Sequence, residues 1–349
     1  MSDDQQLNHE PMHPVGSEPA WSESYYFNFV DPKSKLGMFT RMGFRPGDGW
    51  ADALHVLYLE GRRVAFTYGR RDIGADLSVY DGDLVVGGLA LRCIEPHKEW
   101  EISFDGPAQD IADAAVLLER SKLRPEGWYK PATLNMQLTF RCLSEPHLTR
   151  SDDASTGAFG HFEQSGHLTG TVRLGDVEWT VDGYGVRDKS WGPRDWGASQ
   201  GESKSDSEGD SKLGPSMVTS TPSEPSPFVN WFSMNFGDRA AFGGSCFRRS
   251  DGRVVGGGWM QRDGKTVKLK DVEITTTYEP ESILHRDIEL TAKTEEGEAI
   301  SMKGHVLNLC PTKVPMPGGA TFINEGLAEF DWNGERGYGI AEHWHAVRL

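Results

Sequence analysis

The strongest constraint on what this chain can fold into is a period of two. Val64, Phe66 and Tyr68 alternate with Ala65 and Thr67, the pattern of a half-buried strand whose successive side chains point to opposite faces. Short apolar segments of this kind recur from Trp21 to the C-terminal end. Between them stand Glu60-Gly61, Asp81-Gly82, Gly175-Asp176 and Asn333-Gly334. Such pairs tolerate the backbone conformations that tight hairpins need. Glycine numbers 41 of 349 residues and tryptophan 11, which favours turn-rich β structure over helical bundles. The best helix candidate is DIADAAVLLERSK, residues 110–122, where apolar residues fall at roughly helical spacing. The expected class is all-β, barrel or sandwich, with one or two short helices.

Composition divides the chain further. Residues 1–20 are polar and read as a disordered arm. Hydrophobicity falls across residues 142–160, so one β domain is expected over 21–155 and a second over 156–349. Residues 197–227 are a run of Ser, Glu, Asp, Gly and Pro. Such a run cannot bury enough apolar area to offset roughly 1–2 kcal/mol of backbone entropy per residue. It reads as a mobile insertion in the second domain.

Several functions are excluded by what is missing. With 36 Lys and Arg against 52 Asp and Glu, the net charge is -16, and a nucleic-acid partner would need a basic face. Cys93, Cys142, Cys246 and Cys310 form no CxxC pair, so four buried, reduced thiols are expected. The N-terminal residues carry no basic and apolar leader, and no apolar run reaches membrane-spanning length, so the expected location is the cytoplasm. GxxxxGK[ST] and GxSxG are absent, and no cofactor is expected. His343 and His345 share one face of a strand and could chelate. No third ligand stands at a motif spacing, so no metal is expected.

The densest run of unusual residues is GYGVRDKSWGPRDW, residues 183–196. This segment resembles the signature of the carotenoid 1,2-hydratase (hydroxyneurosporene synthase) and AttH-like group. SESYYFNFVDP (22–32), HFEQSGHLTGTV (161–172) and RGYGIAEHWHAV (336–347) fit the same resemblance. One departure is Lys189, where relatives commonly carry a histidine after the first aspartate. An imidazole exchanges protons near neutral pH and an ordinary lysine does not, so that role must be filled otherwise here.

The resemblance implies two lipocalin-like domains and a cofactor-independent enzyme acting on a hydrophobic isoprenoid-, steroid- or polyketide-like substrate. Hydration, dehydration, isomerisation or cyclisation is the implied chemistry. It requires a carboxylic acid of raised pKa, aromatic faces for a developing cation, and an oriented water. The candidate catalytic residues are Asp188, Asp195, Glu342 and His345. The candidate substrate-binding residues are Tyr26, His161, Glu163, Tyr184, Trp191, Arg194, Trp196 and Tyr338. For Asp188 and Asp195 the competing role is an ion pair with a neighbouring arginine, which lowers a carboxyl pKa. For Trp191 and Trp196 it is core packing. The rival function is a non-catalytic carrier of a hydrophobic ligand. A third is an interaction protein tethered by residues 197–227.

Overall fold

The computed structural model describes residues 9–17, 21–74, 84–151, 159–193, 221, 223–248, 252–316 and 319–348. The first sheet holds β1 (Trp21–Asp31), β2 (Leu36–Arg45), β3 (Trp50–Tyr58), β4 (Val64–Asp72), β5 (Val85–Val86) and β6 (Leu89–Glu95). It continues with β7 (Glu99–Ile111), β8 (Lys130–Cys142), β9 (His147–Ser151), β10 (Phe159–Leu174) and β11 (Val177–Pro193). Its order is β4-β3-β2-β1-β11-β10-β8-β7-β6-β5, with β9 on β10 and an added β4–β7 pairing that closes the ring.

The second sheet is a closed barrel of consecutive neighbours. Its strands are β12 (Val229–Phe236), β13 (Ala240–Arg248), β14 (Val254–Arg262) and β15 (Lys265–Tyr278). Then follow β16 (His285–Thr294), β17 (Ala299–Met316), β18 (Gly319–Trp332) and β19 (Glu335–Arg348). Closure satisfies the backbone donors and acceptors that an open edge would leave unpaired. No helix among the described residues is long and apolar enough to cross a membrane.

The turn signals act where the structure describes them. Trp332 pairs with Glu335, and Asn333 and Gly334 take φ of 55° and 83°, the doubly left-handed turn that matches strand twist. Tyr58 pairs with Val64 across Glu60-Gly61, and Leu174 pairs with Val177 across Gly175-Asp176. Asp81-Gly82 lies outside the described residues.

Four expectations change. The boundary drawn at 155/156 falls inside the first barrel, because β10 and β11 pair with β8 and β1. The dip in hydrophobicity there is a loop within one sheet, and the change of sheet comes between β11 and β12. The low-complexity run therefore stands between the barrels in sequence; its residues 197–220 lie outside the described ones. Part of the N-terminal arm is packed, since Glu10 is only 3% exposed. The helix candidate forms two 3-10 turns, Ala114–Leu118 and Ser121–Leu123. Asp113 caps the first by accepting from the Ala115 N–H, and the run is too short to nucleate an α-helix alone.

The barrels pack side by side. Every residue of β1 is buried, because Tyr25, Phe27 and Phe29 fill the first barrel while Tyr26 and Val30 join an apolar layer with Trp231, Leu327 and Ile340 of the second. β16, away from this contact, alternates buried and exposed. A strand with two buried faces loses the period-two signal. Across the contact, Asn28 Nδ2 donates to Ser233 Oγ at 3.0 Å, and Asn308 Nδ2 donates to the Leu59 and Arg63 carbonyls at 3.0 and 2.9 Å.

Candidate active site

On β10, His161 and Glu163 are two residues apart and so share a face, and Asp188 of β11 stands directly opposite Glu163 in register. This face meets the second barrel. His161 Nε2 and Asp188 Oδ2 are 2.5 Å apart, with Glu163 Oε1 3.9 Å from the same nitrogen. Glu163 is buried, and each of its carboxylate oxygens accepts an indole N–H, one from Trp231 on β12 and one from Trp259 on β14. Burial raises its pKa above the ordinary value, Asp188 adds to the rise, and His161 and the two indoles oppose it.

The facing wall supplies two more carboxyl groups. Glu325 on β18 and Glu342 on β19 are cross-strand partners. Side chains 325 and 327 alternate outward from a barrel that buries Ala328 and Phe330 inside. Tyr26 donates its hydroxyl to Glu325 Oε2 at 3.1 Å, and Tyr58 donates to the Glu325 carbonyl at 2.8 Å. Glu325 is 4% exposed. Burial pushes its pKa well above the carboxylate range, reinforced by the charge of Glu342 and a side-chain hydrogen bond with it. Two carboxyl groups this close favour a shared proton over two charges. The Tyr26 phenol is raised well above its usual value by burial and by the same two glutamates. Its ring meets Trp231 edge-on, centroids 5.5 Å apart. The arrangement combines a carboxyl group whose pKa burial pushes well up, an imidazole–carboxylate pair, and aromatic faces, all where the barrels meet.

Among the described residues, His161, Glu163 and Asp188 are the one group of His, Cys, Asp or Glu whose ligand atoms all lie within 4.8 Å of one another. Both oxygens of Glu163 and the Nε2 of His161 already make hydrogen bonds. The three side chains thus form part of a hydrogen-bonded network.

The structure brings together Tyr26, His161, Glu163, Asp188 and Glu342 from the sequence candidates. Asp188 pairs with His161; its neighbour Arg187 turns to the other face and binds Glu10. Lys189 also faces away from the site and pairs with Glu23 at 2.7 Å, so the imidazole beside Asp188 is supplied by β10 instead. Trp191 lies with Trp21 and Phe162, stacked on His9 and His13. Tyr184 packs on His167, and Tyr338 donates to Glu329 at 2.9 Å.

His345, a candidate catalytic residue from the sequence, points into the second barrel and away from the carboxyl cluster. Strand alternation sends residues 343 and 345 inward and 342 outward. There His343 stacks on His285, centroids 4.0 Å apart, with Tyr278 edge-on to His345. Burial lowers the pKa of His285 to about 4 and of His345 to about 3. Arg194, Asp195 and Trp196 lie outside the described residues.

Sequence reading missed Glu325, Tyr58, Trp231 and Trp259. Glu325 carries a usable signal, a lone acid within the apolar run Ala320–Leu327. The two tryptophans have none, because nothing local tells an indole that reaches across an interface from one in a core.

The profile of the domain of unknown function DUF7064 matches residues 6–347. The chain belongs to this family. A search of the curated proteins returned no match. Among solved structures, the protein designated AttH from Nitrosomonas europaea is similar over 98% of this chain and 99% of its own, at 13% identity and a TM-score of 0.52. Kievitone hydratase from Nectria haematococca covers 93% of this chain and 89% of its own, at 8% identity and a TM-score of 0.51. At these identities the likeness is one of fold. The DUF7064 chain thus has the two-domain, lipocalin-like architecture of the AttH-like group.

Proposed function

We propose that this protein is an acid–base enzyme acting on a hydrophobic substrate between its barrels, adding water to or removing it from a carbon skeleton, or isomerising one. The observation that carries this reading is Glu325: a buried carboxyl group, hydrogen-bonded to a second glutamate, with its pKa pushed well up. A shift in this direction favours the protonated form, which can deliver its proton to an alkene carbon or a leaving hydroxyl. A fold shared with kievitone hydratase is in keeping with hydration chemistry.

In the hydration direction, the Glu325 O–H bond breaks and its proton forms a C–H bond on the alkene. The cation that develops is stabilised by the faces of Trp231 and Tyr26, each worth about 0.5–2 kcal/mol. Water then forms the C–O bond and gives its proton to the His161–Asp188 pair. Return of that proton to Glu325 restores the start. Dehydration runs the same steps backward. Glu163, pinned by two indoles, fixes the orientation of the strand that carries His161. The apolar layer of Phe39, Val56, Leu327 and Ile340 gives a hydrocarbon substrate its contacts.

The test is turnover of an isoprenoid, steroid and polyketide panel in heavy-oxygen water by wild type, Glu325→Gln and Asp188→Asn. Label incorporated by wild type, and reduced at least 100-fold in both variants, is expected from the usual worth of an acid or base, about 10²–10⁴. Equal incorporation in all three sinks the assignment. Ligands that bind wild type and come back unchanged in mass and structure favour the carrier instead.

A further inference from the structure

Arg187 and Lys189 lie on the face of β11 opposite Asp188 and are buried, at 1% and 0% exposure. What meets them is the N-terminal segment 9–17, which contributes no strand to either barrel. The Glu10 carboxylate accepts from Arg187 through Nη1 at 2.9 Å and Nη2 at 2.5 Å. It also accepts the His97 backbone N–H at 2.7 Å. Gln164 Oε1 accepts the Arg187 Nε–H at 2.8 Å and so aims the guanidinium. His97 holds a φ of 58°, an uncommon conformation for a side-chain-bearing residue, and it is this turn that presents its N–H to Glu10. Lys189 Nζ donates to the His9 and Pro11 carbonyls at 2.6 and 2.5 Å. Burial would raise the Glu10 pKa, but the Arg187 guanidinium outweighs it and the carboxyl group ends below its ordinary value.

A forked guanidinium, an aimed backbone N–H and near-total burial together make a receptor for a planar carboxylate. A surface ion pair has none of this construction. We propose that this end of the first barrel is a carboxylate-binding site, built by Arg187, Gln164 and the His97 N–H, in which Glu10 sits as a tethered ligand. The receptor groups belong to β10, β11 and the β6–β7 turn, all held by strand pairing. The ligand belongs to a segment held by side-chain and carbonyl contacts, so the two are separable. Tethering gives Glu10 an effective concentration of millimolar order or more, which keeps free carboxylates out of the intact protein.

The experiment uses the full chain with Glu10→Ala, which removes the ligand and leaves the receptor. Sodium formate and sodium acetate are titrated to 100 mM against sodium chloride at matched ionic strength, with Tm as the readout. Expected for E10A is a saturable, carboxylate-specific rise of about 2–4 °C, with no specific rise for wild type. If E10A does not fold in chloride, its refolding yield in formate against chloride replaces Tm, and a higher yield in formate is the expected result. Identical responses of E10A to formate, acetate and chloride, in Tm or in yield, overturn the proposal.

Discussion

Replacing His55 with leucine tests how this fold tolerates buried imidazoles. His55 lies inside the first barrel, 1% exposed, its ring parallel to Phe104 at 5.4 Å between centroids. Neither ring nitrogen has a hydrogen-bond partner among the described residues, and burial alone lowers its pKa to about 3. The unfolded chain, with a pKa of about 6.5, binds the proton that the folded chain refuses. The stabilising contribution of the neutral ring is therefore complete above about pH 6.5 and is lost as pH falls toward the folded value. Between pH 7 and pH 5 that loss is about 2 kcal/mol for one such histidine, a sizeable share of a typical folding free energy of about 5–15 kcal/mol.

His55→Leu removes this proton linkage and two unsatisfied polar atoms. The variant is expected to be at least as stable as wild type at pH 7 and to gain about 2 kcal/mol on it at pH 5. Urea titrations of both proteins at the two pH values measure the double difference. Contributions from His285 and His345, of the same sign, and from Glu163 and Glu325, of opposite sign, cancel between variant and wild type. A double difference near zero refutes the argument, as does a variant markedly less stable at pH 7.

Three further outcomes follow from the packing. Trp259→Phe leaves one buried Glu163 oxygen without its indole donor; a stability loss of about 1–3 kcal/mol is expected, and an unchanged urea midpoint would count against that bond. Gly185→Ala would place a Cβ 1.7 Å from the Asn28 carbonyl oxygen. Backbone cannot yield there as a side-chain tip can, so soluble yield or Tm should collapse, and a wild-type Tm would refute the close approach of β11 to β1. Cys246 is buried and its thiol is pushed up to about 12, while the buried Cys310 thiol is pushed still higher. Native protein at pH 8 should therefore resist iodoacetamide at both positions, whereas peptide mapping that finds them alkylated before unfolding would contradict this burial.

The chain itself determined the class of fold and much of the raw material of the site. Period-two segments and Gly-bearing turns need only near neighbours to act, so strands such as β4 and hairpins such as Asn333-Gly334 were legible. His161, Glu163 and Asp188 were legible as residues because β10 and β11 form one hairpin, and strand geometry places positions 161, 163 and 188 on one face. The partition of the strands was not, because a fall in hydrophobicity marks a loop whether it divides two domains or two strands. Nor could a period of two tell which face of β19 meets the other barrel, and that choice separates Glu342, at the carboxyl cluster, from His345, inside the second barrel. Long-range packing decided that Glu325 would lose its solvent, and that Glu10, in a polar arm, would be worth burying. Both depend on groups brought from more than 150 residues away: Tyr26, which covers and hydrogen-bonds Glu325, and the Arg187 guanidinium, which pairs with Glu10. Electrostatic environments are set by distance in space, and the linear sequence does not encode that distance locally.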